Sequence, residues 1–280
     1  MAANTFALGV REHIPAADYH AVPALSSTFM KAMLARSPLH ARYQMENGES
    51  NDAMNMGTAV HTAILTPDMY EAEVAVAPKC DKRTTAGKAE FRAFEVLNGH
   101  KLILDASQGE AVAGMVAAVH ASNSCRAMLE MATQRELSVF AEDPHTGTQL
   151  KARLDGYDPA TGWVIDLKTC RDASYPGFKS ALWNLGYGLQ AAFYRRVARI
   201  AGLNVSGFAF LCVENTAPHG VAVYAMDDSD MDYFEADMRR LIADYKVCRE
   251  TETWPGYPDR IERIGLANWA RRQLEEGLAR

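Results

Sequence analysis

The sequence predicts an α/β (α+β) protein, and three observations carry that reading. Between residues 135 and 169, short runs alternate polar and apolar side chains and are separated by turn residues, as half-buried strands do. Before residue 132 and after 179, apolar residues recur at three and four, the spacing of helices that pack along one face. Another strand-like pair then returns between 205 and 226. Together these predict a single domain over residues 1–280: a mainly helical N-terminal part (1–132), a sheet with its helix (133–226) and C-terminal helices (227–280).

Tyr19 to Gln44 offers Ser26 or Ser27 as a helix cap, runs through Phe29, Met30, Met33 and Leu34 at helical spacing, and stops at Ser37-Pro38. A second short helix follows, then a polar loop from Glu46 to Asp52. Gly57 to Leu65 reads as a compact helix ended by Pro67, with His61 on a small, apolar surface. Pro78 to Lys88 holds Lys79, Lys82, Arg83 and Lys88 and reads as an exposed basic loop leading into a helix over Ala86 to Leu97. After the apolar segment Lys101 to Leu104, Ser107 to Glu110 matches a capping box, and Val112, Met115, Val116 and Val119 form a helical stripe. A further helix spans Ser124 to Ala132.

Arg135 to Phe140 alternates as a strand, turns at Asp143 to Gly147, and joins a hairpin over Lys151 to Thr169 in a three-stranded antiparallel meander. The hairpin turns at Asp158 to Gly162 and returns through the apolar run Trp163 to Ile165. On the returning strand Leu167 separates Asp166 from Lys168, so acid and base share one face. The turn also brings Asp155 close to Asp166, and two carboxylates held together repel unless a cation lies between them. Hard oxygen ligands favour magnesium or manganese. Asp-x-Lys alone is also a common surface ion pair; the neighbouring Asp155, the apolar run and the following helix set this one apart.

That helix is read over Lys179 to Gly202, where Gln190 and Tyr194 share a face. Val205 to Val213 and Val221 to Met226 form a strand pair joined by Glu214 to Gly220. Asp230 to Glu250 is an amphipathic helix, and the break at Trp254 to Pro258 precedes a last charged helix.

Composition narrows the class. With 48% hydrophobic and 23% charged residues, the chain can bury a substantial core. Its opening, MAANTFALGVREHIP, lacks the pattern of a secretory leader, and no apolar run approaches membrane-spanning length, so a cytoplasmic location and no membrane partner are expected. The 5 cysteines are scattered without a C-x-x-C pair, which speaks against a disulfide framework, structural zinc or an iron-sulfur cluster. A net charge of −6 lowers the expectation of nucleic-acid binding without excluding it, because basic residues are needed only where a strand lies.

In chain order, the candidate residues are His61, Glu136, Asp155, Asp166-x-Lys168 and Gln190-x-x-x-Tyr194. The set resembles the PD-(D/E)xK nuclease superfamily in its RecB-like form, and more closely the RecE-like exodeoxyribonuclease VIII enzymes of phages and prophages. YHAVPALSSTFMKAMLARSP looks like that family's opening helix and GTAVHTAIL like its histidine motif, and the resemblance covers residues 19 to 225.

It implies a restriction-endonuclease-like core, a central mixed sheet flanked by helices, with an N-terminal helical extension. It also implies a magnesium-dependent exonuclease, with manganese as a substitute, in a bacterial cell and encoded by a phage or prophage. Such an enzyme degrades linear double-stranded DNA from its ends, 5′ to 3′, as a homo-oligomer, a ring-shaped tetramer, exposing single strands for recombination with an annealing protein.

Carried onto this chain, Asp155, Asp166 and the Leu167 carbonyl would hold the metal and Lys168 would orient or activate water. His61 would be a further ligand or the partner of one. Glu136 would help hold the metal or its waters, and Gln190 and Tyr194 would position the scissile phosphate or the site. Lys79, Lys82, Arg83 and Lys88 are the candidates for DNA contact. Two alternatives stay open: a non-catalytic DNA-end or protein-binding module that has kept the fold, and another RecB-like repair nuclease. A Cas4-like protein is disfavoured because its cluster needs grouped cysteines.

Overall fold

The structure is a computed structural model that describes residues 7–48 and 51–278. Ser26 accepts the Phe29 N–H and starts helix α2 (Ser27–Ala35), and Ser37 does the same for α3 (Pro38–Asn47). An Arg42–Glu46 ion pair one turn apart carries α3 on to Asn47, while Asn51 caps α4 (Asp52–Leu65) well before Gly57. The loop expected over Glu46 to Asp52 is therefore shortened from both ends.

Pro67 ends α4 and also opens α5 (Pro67–Glu73), since a first-turn residue needs no N–H. The next two strands, β2 (Val74–Val76) and β3 (Leu102–Leu104), pair in parallel as a small separate sheet that the sequence pattern did not announce. Between them lies α6 (Thr85–Asn98). The capping box of α7 (Ala106–Ala121) is Asp105 with Gln108, not Ser107 with Glu110. The Asp105 carboxylate accepts the Gln108 N–H, and Ser107 is drawn in as a donor to that same carboxylate. Helix α8 (Asn123–Met131) follows.

The expected meander forms from β4 (Gln134–Glu142), β5 (Gln149–Asp158) and β6 (Trp163–Cys170). Its far neighbour is β7 (Gly207–Glu214), parallel to β6, and β8 (Val221–Ala225) pairs antiparallel with β7. A short β1 (Gly9–Arg11), leading into α1 (Ala16–Ala21), adds an edge to β4. The order β1-β4-β5-β6-β7-β8, with one parallel pair, makes the central sheet mixed, as the resemblance implies.

The helix expected over Lys179 to Gly202 is two helices, α9 (Tyr175–Asn184) and α10 (Tyr187–Ile200). Gly186 between them has φ 66°, a left-handed conformation that no continuous helix contains. The remaining helices are α11 (Asp228–Thr251) and α12 (Asn268–Leu278).

Helices cover both faces of the sheet. Val164, Phe208, Phe210 and Cys212 join residues of α2, α10 and α11 in one core, while Ile165, Leu167, Leu211 and Val213 join α4, α7 and α8 in the other. Burial of side chains such as Phe193, Phe208 and Leu167 contributes about 2 kcal/mol each. Four of the five cysteines are buried, Cys80 is half-buried, and all are free thiols. Among the described residues, no helix is long and apolar enough to cross a membrane.

Candidate active site

Strand register places Glu136, Asp155 and Asp166 side by side across three neighbouring strands. Arg135 pairs with Gly156 and Leu137 with Leu154 on one side, and Gly156 pairs with Ile165 on the other. Both ladders lack their pair at Asp155. The β5–β6 pairing runs only from Asp158–Trp163 to Gly156–Ile165, and beyond it the strands part. In the opening, the Asp155 carboxylate takes over a backbone role: its Oδ2 accepts the Leu167 N–H at 2.8 Å. Gly156 lets β5 lie close to the end of α8, because a Cβ there would come 2.7 Å from that of Ala132.

One face of the sheet contributes His61, from α4. Its Nδ1 donates to the Gly57 carbonyl at 2.8 Å, and its Nε2 lies 3.2 Å from Asp155 Oδ2. Burial disfavours the imidazolium, but the Asp155 carboxylate outweighs burial and raises its pKa to about 9. Asp155 is held below the usual carboxylate range: burial opposes its charge, and His61, Lys168 and the Leu167 N–H more than offset that.

Asp166, 1% exposed, and Lys168 point to the other face and form an ion pair. Burial works against the Lys168 ammonium, yet Asp166 and Asp155 raise its pKa and keep it protonated. Burial pushes Asp166 up, opposed by Lys168 beside it. Gln190 of α10 donates to Asp166 Oδ1 at 2.9 Å. Tyr194, one turn on, shares a hydrogen bond with Ser27, and burial together with nearby Asp155 and Asp166 holds its phenol protonated.

Glu136 sits at φ 50°, a strained backbone for a residue other than glycine. Burial and the Asp155 charge raise its pKa to about 7, and Arg153 Nη1 stands 3.7 Å from its Oε2.

All the acidic, lysine, histidine and glutamine candidates therefore meet around the strand opening. The basic residues lie apart from this opening and make exposed contacts of their own: Lys79 pairs with Glu110 at 2.9 Å, Arg83 with Asp81 at 3.0 Å, and Lys82 lies over the Phe91 ring at 3.2 Å. No hydrogen bond or ion pair among the described residues joins Lys88 or these three to the carboxylates.

Sequence reasoning missed two members of the centre. Lys31 donates to Gln190 Oε1 at 2.8 Å, and the Tyr187 ring lies 5.0 Å from Lys168 Nζ and 5.7 Å from Lys31 Nζ. The one available signal for Lys31 was its isolation as a cation in the otherwise apolar run Phe29 to Leu34.

Among the described residues, no three His, Cys, Asp or Glu side chains converge as a ready-made metal cage. The donor set still suits magnesium, which is bound through one or two carboxylates while keeping waters and substrate oxygens. Asp155 and Asp166 supply those carboxylates, and among the described residues the buried Asp166 Oδ2 has Lys168 as its one ion-pair partner, with no further hydrogen bond to saturate it.

Residues 26–266 match the model of a family described as a PDDEXK-like domain of unknown function, DUF3799. The chain belongs to this family. Membership places this DUF3799 protein in the PD-(D/E)xK nuclease superfamily, as the sequence resemblance implies, and its mixed sheet flanked by helices is that fold. A crystal structure of a Eubacterium rectale protein, provisionally named an exonuclease, aligns with 93% of this chain and 98% of its own at TM-score 0.59 and 13% identity. That likeness is one of fold. Another solved structure aligns over 78% of this chain and 76% of its own at TM-score 0.35 and 14% identity, too loosely to argue from. No curated protein matches the chain.

Proposed function

We propose that this DUF3799 protein is a metal-dependent deoxyribonuclease, an exonuclease that degrades linear double-stranded DNA from its ends. The observation that carries the reading is the placing of Asp155, Asp166 and Lys168 where β5 and β6 part, braced by His61 from one face and Gln190 from the other.

Asp155 and Asp166, with the Leu167 carbonyl, would hold magnesium, or manganese in its place. When bound, the ion lowers the pKa of water and offsets the charge that builds on the phosphate. The protein's own groups divide the remaining work. Lys168 keeps its proton, so it orients the attacking water and neutralises developing negative charge; it is not a free base. His61 fixes the Asp155 carboxylate, and Gln190 fixes that of Asp166. Glu136, with its pKa near 7, is placed to take up a proton at working pH.

The finer reading is RecE-like. It includes 5′ to 3′ digestion, a ring-shaped tetramer, single strands delivered to an annealing protein, and a phage or prophage origin in the cytoplasm of a bacterial cell. It is supported by the opening-helix and histidine motifs; the name given to the Eubacterium rectale protein speaks for exonuclease action alone. Lys88, in the first turn of α6, and Lys79, Lys82 and Arg83 in the loop before it are the first candidates for phosphate contact.

Release of nucleotides from linear duplex DNA in magnesium, with covalently closed circles as control, tests the proposal. Asp166→Ala and Lys168→Ala should each lower the rate at least about 100-fold. Wild-type release no faster than that of these variants would leave a non-catalytic end-binding module. Labels on the 5′ or 3′ end decide the polarity.

A further inference from the structure

Lys31 reaches the acidic centre from the N-terminal helical part of the chain. Phe29, Met30 and Met33 seat α2 in the same core as Leu189 and Phe193 of α10, which brings Lys31 Nζ within 2.8 Å of Gln190 Oε1. Gln190 then passes the contact on, its Nε2 donating to Asp166 Oδ1 at 2.9 Å. Burial and the neighbouring Lys168 lower the Lys31 pKa to about 8; below that pH its ammonium can only donate, and an ionised carboxylate can only accept. Both ends of the amide therefore demand one orientation, carbonyl toward Lys31 and amino toward Asp166. Turned over, it would set donor against donor and acceptor against acceptor. Asp166 is thus gripped at Oδ1, while Oδ2 is turned to Lys168, its ion-pair partner. The Tyr187 ring lies near both ammonium groups and braces the arrangement.

We propose that Lys31 is a positioning residue of this centre: it locks the Gln190 amide and, through it, turns Asp166 so that Oδ2 is the oxygen offered to Lys168 and to a divalent ion. What Asp166 offers its oxygen to rests on the nuclease reading above. The lock itself is a property of the folded chain.

The test uses the full chain carrying Lys31→Met, Lys31→Arg, Gln190→Ala, or Lys31→Met with Gln190→Ala. Three quantities are measured: magnesium affinity by calorimetry, the side-chain amide resonances of Gln190 by NMR, and steady-state kinetics on linear duplex DNA. Lys31→Met should weaken magnesium binding about 10-fold, the scale on which residues supporting a metal ligand act. The double variant should be no weaker than Gln190→Ala alone, because the two side chains act in series. Lys31→Arg, still a pure donor, should recover most of the loss. In Lys31→Met the Gln190 amide resonances should shift and their protons exchange faster, and kcat should fall with KM for DNA unchanged.

Unchanged affinity and unchanged Gln190 resonances in folded Lys31→Met would overturn the lock. So would single effects that multiply in the double variant, or a rise in KM alone, which would make Lys31 a substrate contact. If wild type neither binds magnesium nor cleaves DNA, the nuclease reading fails while the Gln190 resonances still decide the lock. If Lys31→Met does not fold, Lys31→Gln, which removes the charge but keeps a polar side chain, carries the same comparison.

Discussion

His61 and Asp155 hold each other charged, and that mutual dependence has a pH signature. The folded pKa of His61 is raised from 6.5 to about 9, so the stability it contributes is complete below 6.5 and is lost as pH rises through about 9. Glu136, raised from 4.5 to about 7, adds a loss of the same sign at lower pH, because the fold prefers its neutral form. Without metal, the melting temperature should fall between pH 6 and pH 9.5 in the presence of EDTA. His61→Gln should flatten the upper part of that slope; an undiminished slope in the variant would refute the ion pair. Backbone strain gives a second expectation. Glu136→Gly removes both the φ 50° penalty and a carboxyl beside Asp155, so it should stabilise the fold by about 1 kcal/mol while lowering nuclease activity. Denaturant unfolding alongside the DNA assay checks both parts. Asp155, Asp166 and Lys168 were legible as one cluster from hairpin spacing, whereas for Gln190 spacing gave only a helix face shared with Tyr194, and the family resemblance gave its role. Tyr187 was not: within the apolar stripe of its helix, an aromatic residue reads as core.

At the scale of elements, the break at Gly186 shows where periodicity misleads. Leu182, Leu185 and Leu189 keep the helical spacing straight through it, and an isolated glycine inside a helical pattern is tolerated. Only the left-handed φ reveals two helices. Ending α9 there lets α10 start with Tyr187 beside the lysines, so the break helps to build the centre. A Cβ at Gly186 would also come 3.0 Å from Lys31 Cγ. Gly186→Ala should therefore cost about 1–2 kcal/mol in denaturant unfolding and weaken magnesium binding together with it. Loss of stability with full magnesium affinity would separate the break from the centre. The β1 strand and the β2–β3 pair escaped sequence reading for a simpler reason: three residues are too few to display a period.

For the whole molecule, the meander could be read from adjacent hairpins, whereas the parallel partnership of β6 with β7 could not. Its two strands are separated by α9 and α10, and nothing in either strand names the other. The C-terminal end is a different case. Ile261 and Ile264 are fully exposed, and α12, read from the sequence as a charged helix, contributes no buried residue. Cutting the chain after Asp259 should leave the melting temperature within about 2 °C of wild type, since neither core loses a residue. A large fall would mean that the last segment braces the fold.

The parallel seam between β6 and β7 also sets a schedule. During synthesis, the ribosome releases the carboxylates and Lys168 first, then Gln190, and only afterwards the strand that closes the far side of β6. A nascent chain can thus display every acid of the centre while still lacking the framework that aims them, so any cutting activity would be withheld until synthesis has passed β7.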